Sequence, residues 1–283
     1  MKKFQSQPVS QLRPYVDRIW GWDSAAAETV HLPVLLPGTG AELYFHYGDP
    51  FRYTTASSCE QKTGRAHLFC VRQNKIDLSA SADIGFVAVR FKIGMMHRFT
   101  TIPGAALMDQ VLSVDDIWGA SGAALLRQLS YASEMPTRLT LIQSFLLQKL
   151  SHTSLDLLAE HAMARIYSRS STVSVESIAE HFCLGRRQLE RRLMALSGLS
   201  PRDIKGLSRF QRTIRSAMLE SAENPTLLAL ENGYYDQAHF IRDFQKRVGS
   251  TPHLYLKEAH NKTHFYNTSF RPQGMLPTPH SHV

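Results

Sequence analysis

Over the first hundred or so positions, apolar residues come in short dense runs cut by turn formers. AELYFHYG (Ala41 to Gly48) and IGFVAVRF (Ile84 to Phe91) are rich in aromatic and β-branched residues, which is a strand pattern. Pro33, Pro37, Gly38, Gly40, Gly48 and Pro50 punctuate this part at intervals suited to an all-β barrel or sandwich. From Ile102 onward the period becomes helical. Leu139, Ile142, Phe145, Leu146 and Leu150 recur three and four apart within RLTLIQSFLLQKL (Arg138 to Leu150), and SLDLLAEHAMARIYSR (Ser154 to Arg169) is a second amphipathic stretch of the kind that predicts a helix. SRSSTVS (Ser168 to Ser174) is small and polar and reads as a linker. Helical patterning then runs almost to the end, where THFYNTSFRPQGMLPTPHSHV has no period and predicts a flexible tail.

The pattern therefore predicts an α+β multidomain chain: a β-rich unit at 1–105, a helical extension at 106–169, a linker at 170–174, an all-α unit at 175–262 and a tail at 263–283. The apolar stripes between Leu139 and Arg169 stand beside the linker. They make the extension the expected dimerisation element of a homodimer.

The all-α unit repeats itself. SIAEHFCLGRRQLERRLMALSGLSP (Ser177 to Pro201) is similar to LLALENGYYDQAHFIRDFQKRVGSTP (Leu227 to Pro252). Ala179 matches Ala229 and Cys183 matches Gly233; beyond the turn, one residue longer in the second copy, Leu189 matches Phe240, Arg191 Arg242, Leu193 Phe244, Gly198 Gly249 and Pro201 Pro252. Each copy predicts a short helix, a tight turn and a second helix, which is helix-turn-helix organisation. Gly233 stands where a turn asks for positive φ. Gly185 and Asp236 are the expected N-caps of the second helices.

Those second helices have two faces. Leu189, Leu193 and Leu196 point inward in the first, Phe240, Phe244 and Val248 in the second. The outward face carries Arg186, Arg187, Glu190 and Arg191 in the first copy and Gln237, Ala238, Ile241 and Arg242 in the second. Arginine can bridge guanine O6 and N7, glutamine can pair with adenine, and Ala or Ile can touch a thymine methyl. Arg192, Lys246 and Arg247 are placed to hold phosphates. Between the copies, Asp203 to Glu223 predicts one long helix with Ile204, Leu207, Phe210, Ile214, Ala217 and Met218 on its buried side. About 18 helical residues span ~27 Å, and with the bundles at each end this sets the two reading helices about one DNA turn (~34 Å) apart.

Composition sharpens the picture. A formal net charge of +8 over 283 residues suits an anionic partner. Three cysteines (Cys59, Cys70, Cys183) show no paired spacing, which argues against a disulfide framework or a zinc site and fits a reducing compartment. MKKFQSQPVSQLRPYV has no apolar run behind its lysines, and no stretch approaches the ~18 apolar residues of a membrane span. A cytoplasmic protein is expected. The 13 histidines lack ligand spacing, so neither metal nor cofactor is expected. Glu42 and His46 share one strand face and read as a satisfied, partly buried pair. Trp20, Trp22, Tyr44, Phe45, Tyr47, Phe51 and Tyr53 read as core in preference to an effector pocket.

The region from Val175 to Lys257 resembles the DNA-binding domain of the AraC/XylS family of bacterial transcription regulators. GYYDQAHFIRDFQKRVGSTPHLY follows the family's second-motif order of Gly, aromatic, polar turn, Phe, Arg, Phe, basic residues, Gly, Pro and Tyr. Leu228-Ala229 replaces a more usual Ile-Ala pair, and Gly185 and Cys183 stand where a Ser cap and a turn Gly are commoner. The resemblance places the groove-facing positions on Arg186, Arg187, Glu190, Arg191, Gln237, Ala238, Ile241 and Arg242. LRPYVDRIWGW, LLPGTGAELYFHYGDPFR and VAVRFKIGMMHRF are similar, more loosely, to the sensor domains attached to some of these regulators. That likeness implies a cupin-like barrel that senses a small molecule, dimerises, or both, although the cupin metal pattern is missing.

The expected function is a sequence-specific, non-enzymatic regulator of transcription that reads two successive major-groove segments of double-stranded promoter DNA. As often in the family, it would activate by touching RNA polymerase. A small-molecule effector of unknown identity would control it. The competing expectation, a cupin-type enzyme with an accessory helical domain, requires clustered acid–base or metal residues in the first hundred positions, and no such spacing stands out.

Overall fold

The computed structural model describes residues 2–24, 32–56, 58–80, 83–150, 156–219 and 225–260. The tail expected at 263–283 lies outside them, as do the first residues of the helix expected from Ser154 and the last of the one expected to reach Glu223.

The strands β1 (Lys2–Ser6), β2 (Val16–Asp23), β3 (Glu42–His46), β4 (Arg52–Thr55), β5 (Ser58–Lys62), β6 (Ala66–Phe69), β7 (Asp77–Ser79) and β8 (Gly85–Phe91) are followed by the short helix α1 (Gly104–Leu107) and by β9 (Val111–Ser113). They form two antiparallel sheets, ordered β1-β2-β8-β3-β6-β9 and β5-β4-β7. β9 pairs with β6, Leu112 opposite Leu68. The sheet thus ends on a strand beyond the expected boundary at 105, because a three-residue strand is too short to show a period.

The larger sheet is buried on both faces, which explains why its strands read as continuous apolar runs. Trp20, Tyr44, Phe69, Phe86 and Ala88 face the smaller sheet and pack with its Leu78 and with Phe51, just before β4. Ile19, Leu43, Phe45, Leu68, Val87 and Val89 face the other way. Side chains alternate along each strand, so Tyr44 and Phe45 belong to different cores. Of the aromatics read as core, Trp20, Trp22, Tyr44, Phe45 and Phe51 are buried, whereas Tyr47 and Tyr53 are only half-buried at its edge.

Helices cover the second face. After β9 come α2 (Val114–Trp118), α3 (Ala120–Tyr131) and α4 (Met135–Lys149). A capping box starts α2: the Asp116 N–H donates to the Ser113 hydroxyl at 3.0 Å, and the Ser113 N–H donates to the Asp116 carboxylate at 2.9 Å. Ile142, Phe145 and Leu146 of α4 pack in the same core as Phe45 and Leu68. This corrects the ground for expecting dimerisation there, since the chain itself covers that stripe. The second stripe is covered too. On α5 (Leu157–Ser168), Ala159, Ala162, Met163 and Ile166 are buried with Ile178, Leu189 and Leu193.

The rest of the chain is α6 (Val175–His181), α7 (Arg186–Ser197), α8 (Pro201–Leu219), α9 (Pro225–Glu231), α10 (Gln237–Val248) and α11 (Pro252–His260). The long helix buries Ile204, Leu207, Phe210, Ile214, Ala217 and Met218 as its period predicts. The stretch read as a linker packs against it: Lys205 Nζ donates to the Val173 carbonyl at 2.7 Å, and Arg212 donates to the hydroxyl of the buried Ser170. The β-rich part meets both halves of the helical part. Val71 and Ile93 enter the core around α6 and α7, and Leu36 enters the core around α9 and α10. Polar contacts reinforce the seam. Arg98 makes a two-pronged contact with the buried Glu160, 2.7 Å on each arm, and the Thr39 hydroxyl donates to Gln211 on α8 at 3.1 Å.

Candidate nucleic-acid interface

The repeat reappears as geometry. In the first unit, α6 and α7 are joined by a turn in which the Leu184 N–H donates to the Ala179 carbonyl at 2.8 Å; in the second, the Tyr234 N–H donates to the Ala229 carbonyl at 3.0 Å. Cys183 (φ 53°) and Gly233 (φ 93°) both adopt left-handed backbone there. The first unit therefore makes the glycine-type turn with a cysteine. Both second helices also end alike, on Gly198 (φ 72°) and Gly249 (φ 76°), the usual left-handed C-cap.

The starts differ. Ser174 caps α6 by accepting from the Ser177 N–H at 2.9 Å, and Asp236 caps α10 by accepting from the His239 N–H at 2.6 Å. Gly185 starts α7 without a side-chain cap. An acidic cap beside a helix N-terminus also complements the helix dipole, so α10 is the better anchored of the two at its leading end.

Each helix buries one face. Leu189, Leu193 and Leu196 are buried on α7, and Phe240, Phe244 and Val248 on α10. On the opposite face Arg186, Arg187, Arg191, Gln237, Ala238 and Arg242 are exposed, while Glu190 and Ile241 are half-buried. Arg186 is shared between two carboxylates, Glu176 on α6 at 2.7 Å and Glu190 at 3.1 Å. Those partners hold its charge more firmly, and its pKa rises above the ordinary arginine value.

The three residues expected to hold phosphates are not alike. Lys246 is exposed. Arg192 donates to Asp156 at 3.1 Å, the residue that also caps α5 through the Ala159 N–H. Arg247 lies mostly inside: its guanidinium pairs with Asp243 at 2.9 Å and sits 5.7 Å from the centre of the Phe210 ring. Asp243 also accepts the Tyr234 hydroxyl at 2.7 Å. Burial first, and then the Asp243 charge, raise that phenol's pKa. Sequence reading missed this organising role of Asp243, although the i,i+4 spacing to Arg247 signals a helical ion pair.

Within the β-rich part, Glu42 is buried at 1% exposure and paired with Arg90 and Arg72. Burial alone would raise its pKa; Arg90, Arg72 and Arg18 together hold it below the ordinary carboxylate value. His46 does not pair with it. His46 stacks on His67, with ring centres 5.2 Å apart. Among the described residues, no group of three His, Cys, Asp or Glu is placed to hold a metal ion, and no helix is long and apolar enough to cross a membrane.

A helix-turn-helix domain family matches residues 178–258, and a domain family of unknown function (DUF6597) matches residues 5–113. No curated protein matches the chain. Among solved structures, the chain is similar to ToxT from Vibrio cholerae, at 13% identity over 81% of this chain and 95% of that one, with a TM-score of 0.49. It is also similar to ToxT from the same organism bound to an unsaturated fatty acid, at 11% identity over 89% and 96% with a TM-score of 0.46. The AraC-like transcriptional activator CuxR is similar at 13% identity over 80% and 90%, with a TM-score of 0.23. The helical part over residues 178–258 is a helix-turn-helix domain. It follows the β-rich N-terminal part of the chain.

Proposed function

We propose that the chain is an AraC-like transcription regulator that binds promoter DNA sequence-specifically, laying α7 and α10 into successive major-groove segments on one side of the duplex. The observation that carries the reading is the duplicated unit. Two second helices share one turn geometry, bury matching apolar faces and expose matching polar faces, and α8 joins them with 19 residues, about 28 Å at ~1.5 Å per residue. Base contacts come from Arg187, Arg191, Gln237, Ala238, Ile241 and Arg242, with Lys246 on phosphate. Arg247 holds α10 to the domain instead.

The partners this reading implies are double-stranded promoter DNA and RNA polymerase, the output is activation, and the compartment is the cytoplasm. The β-rich domain is the controlling part and catalyses no reaction. It touches the cores of both DNA-binding units, so an effector that altered its packing would reach both reading helices. The test is selection of bound fragments from genomic DNA by the purified full-length protein at near-physiological salt. An enriched site with two short blocks about one turn (~34 Å) apart supports the reading. Binding without enrichment overturns it.

A further inference from the structure

The two reading helices present different chemistry at their outermost positions. Two residues before and two after the buried Leu189 lie roughly opposite it on the helix; on α7 these are Arg187 and Arg191. The corresponding positions around the buried Phe240 on α10 are Ala238 and Arg242. All four are exposed. Arg186 is drawn aside by Glu176 and Glu190, whereas neither Arg187 nor Arg191 makes an ion pair among the described residues.

Resting on the proposed function, we propose that the DNA site is asymmetric in a defined way. Each block holds one guanine at the same register, read by Arg191 in one block and Arg242 in the other. The second outermost position separates them: Arg187 reads a further guanine, and Ala238 meets a thymine methyl. Arginine bridging guanine O6 and N7 and a small apolar side chain on the thymine methyl are the major-groove pairings these side chains allow. Four residues of helix rise ~6 Å, close to two base steps of ~3.4 Å. The α7 block is therefore G-x-G and the α10 block has an A·T pair two steps from its guanine. One chain thus fixes its direction on the promoter without any second copy.

The test compares sites selected from a random duplex library by full-length wild type, Arg187→Ala and Ala238→Arg. Both substituted positions are exposed, and thermal melting checks that the variants remain folded. Wild type should enrich two blocks of unequal composition. Arg187→Ala should lose about fivefold or more of its discrimination at one guanine of one block and leave the other block unchanged. Ala238→Arg should move the A·T position of the other block toward guanine. Two blocks of equal composition, or a variant that alters the wrong block, would overturn the asymmetry while leaving sequence-specific binding intact. Failure of the wild type to enrich any site would remove both. If Ala238→Arg does not fold, Arg187→Ala alone decides the matter.

Discussion

The backbone N–H of Lys75, in the loop before β7, donates to the carbonyl of Arg247 near the end of α10, 3.0 Å away. A residue of the β-rich domain thus holds the trailing end of the second reading helix. Leu36 does the same through packing, at 4% exposure among Phe210, Phe244 and Tyr255. Leu36→Ala should cost ~2–5 kcal/mol, as for other buried leucines. Its effect should fall on the second helix-turn-helix, seen as faster amide exchange in α10 than in α7. Equal change in both helices would show that the two units do not respond separately.

The two turns predict opposite effects of one exchange. Cys183 bears a left-handed backbone that costs a non-glycine residue ~1–2 kcal/mol, and it is exposed. Cys183→Gly relieves that strain but also loosens the unfolded chain by ~0.4–1 kcal/mol, so the net expectation is a small rise in melting temperature. Gly233→Ala should lower it, because a Cβ there keeps the strained φ and sits 3.2 Å from the Ser171 Cβ. Two shifts of the same sign would contradict the shared turn geometry.

Arg247 and Lys246 are neighbours with different duties. Lys246→Ala should weaken binding to all DNA sequences alike and reduce the salt slope by about one. Arg247→Ala removes one partner from a largely buried pair with Asp243 and should cost stability, toward the ~3–5 kcal/mol seen when buried pairs are broken. Salt titrations of binding beside urea unfolding separate the two. A normal melting curve for Arg247→Ala with a flattened salt slope would return Arg247 to the phosphate set.

His67 makes stability depend on pH. Its ring is buried between Tyr44 and His46, at 5.4 and 5.2 Å, and burial pushes its pKa from 6.5 down to about 3, only partly opposed by the hydrogen bond to the Gly64 carbonyl. The unfolded chain takes up this proton near pH 6.5 and the folded chain only near 3. Between those values the unfolded state holds more protons, so stability is complete above pH 6.5 and falls by up to ~1.4 kcal/mol per unit as pH drops. His46, also lowered by burial, adds in the same direction. His67→Phe should remove part of the slope in urea unfolding between pH 6.5 and 4. Coincident slopes for the two proteins would contradict the assignment.

The helical half was the more legible part. Its turns are marked by Gly233, Gly198 and Gly249, its buried positions recur at helical spacing, and duplication lets one copy check the other. The β-rich half was legible as strands, but pairing order and the short β9 depend on contacts far apart in sequence. The stripe of Ile142, Phe145 and Leu146 announces burial without saying against what, which is why it suggested a second copy when the partner is the chain's own sheet. The surroundings of Arg247 were hidden for a related reason: a cation near a helix end looks available for phosphate, and its pairing with Asp243 and contact with Phe210 show only in three dimensions. The docking of Leu36, Val71 and Ile93 into the helical cores left no trace in local pattern, since each is one apolar residue in a loop or strand end.

The most direct measurement is a hydroxyl-radical footprint of the full-length protein on a fragment it selects. The account predicts two protected windows on one side of the duplex, centred about one helical turn apart. A single window, or protection spread evenly along the fragment, would contradict the claim that both helices read the groove.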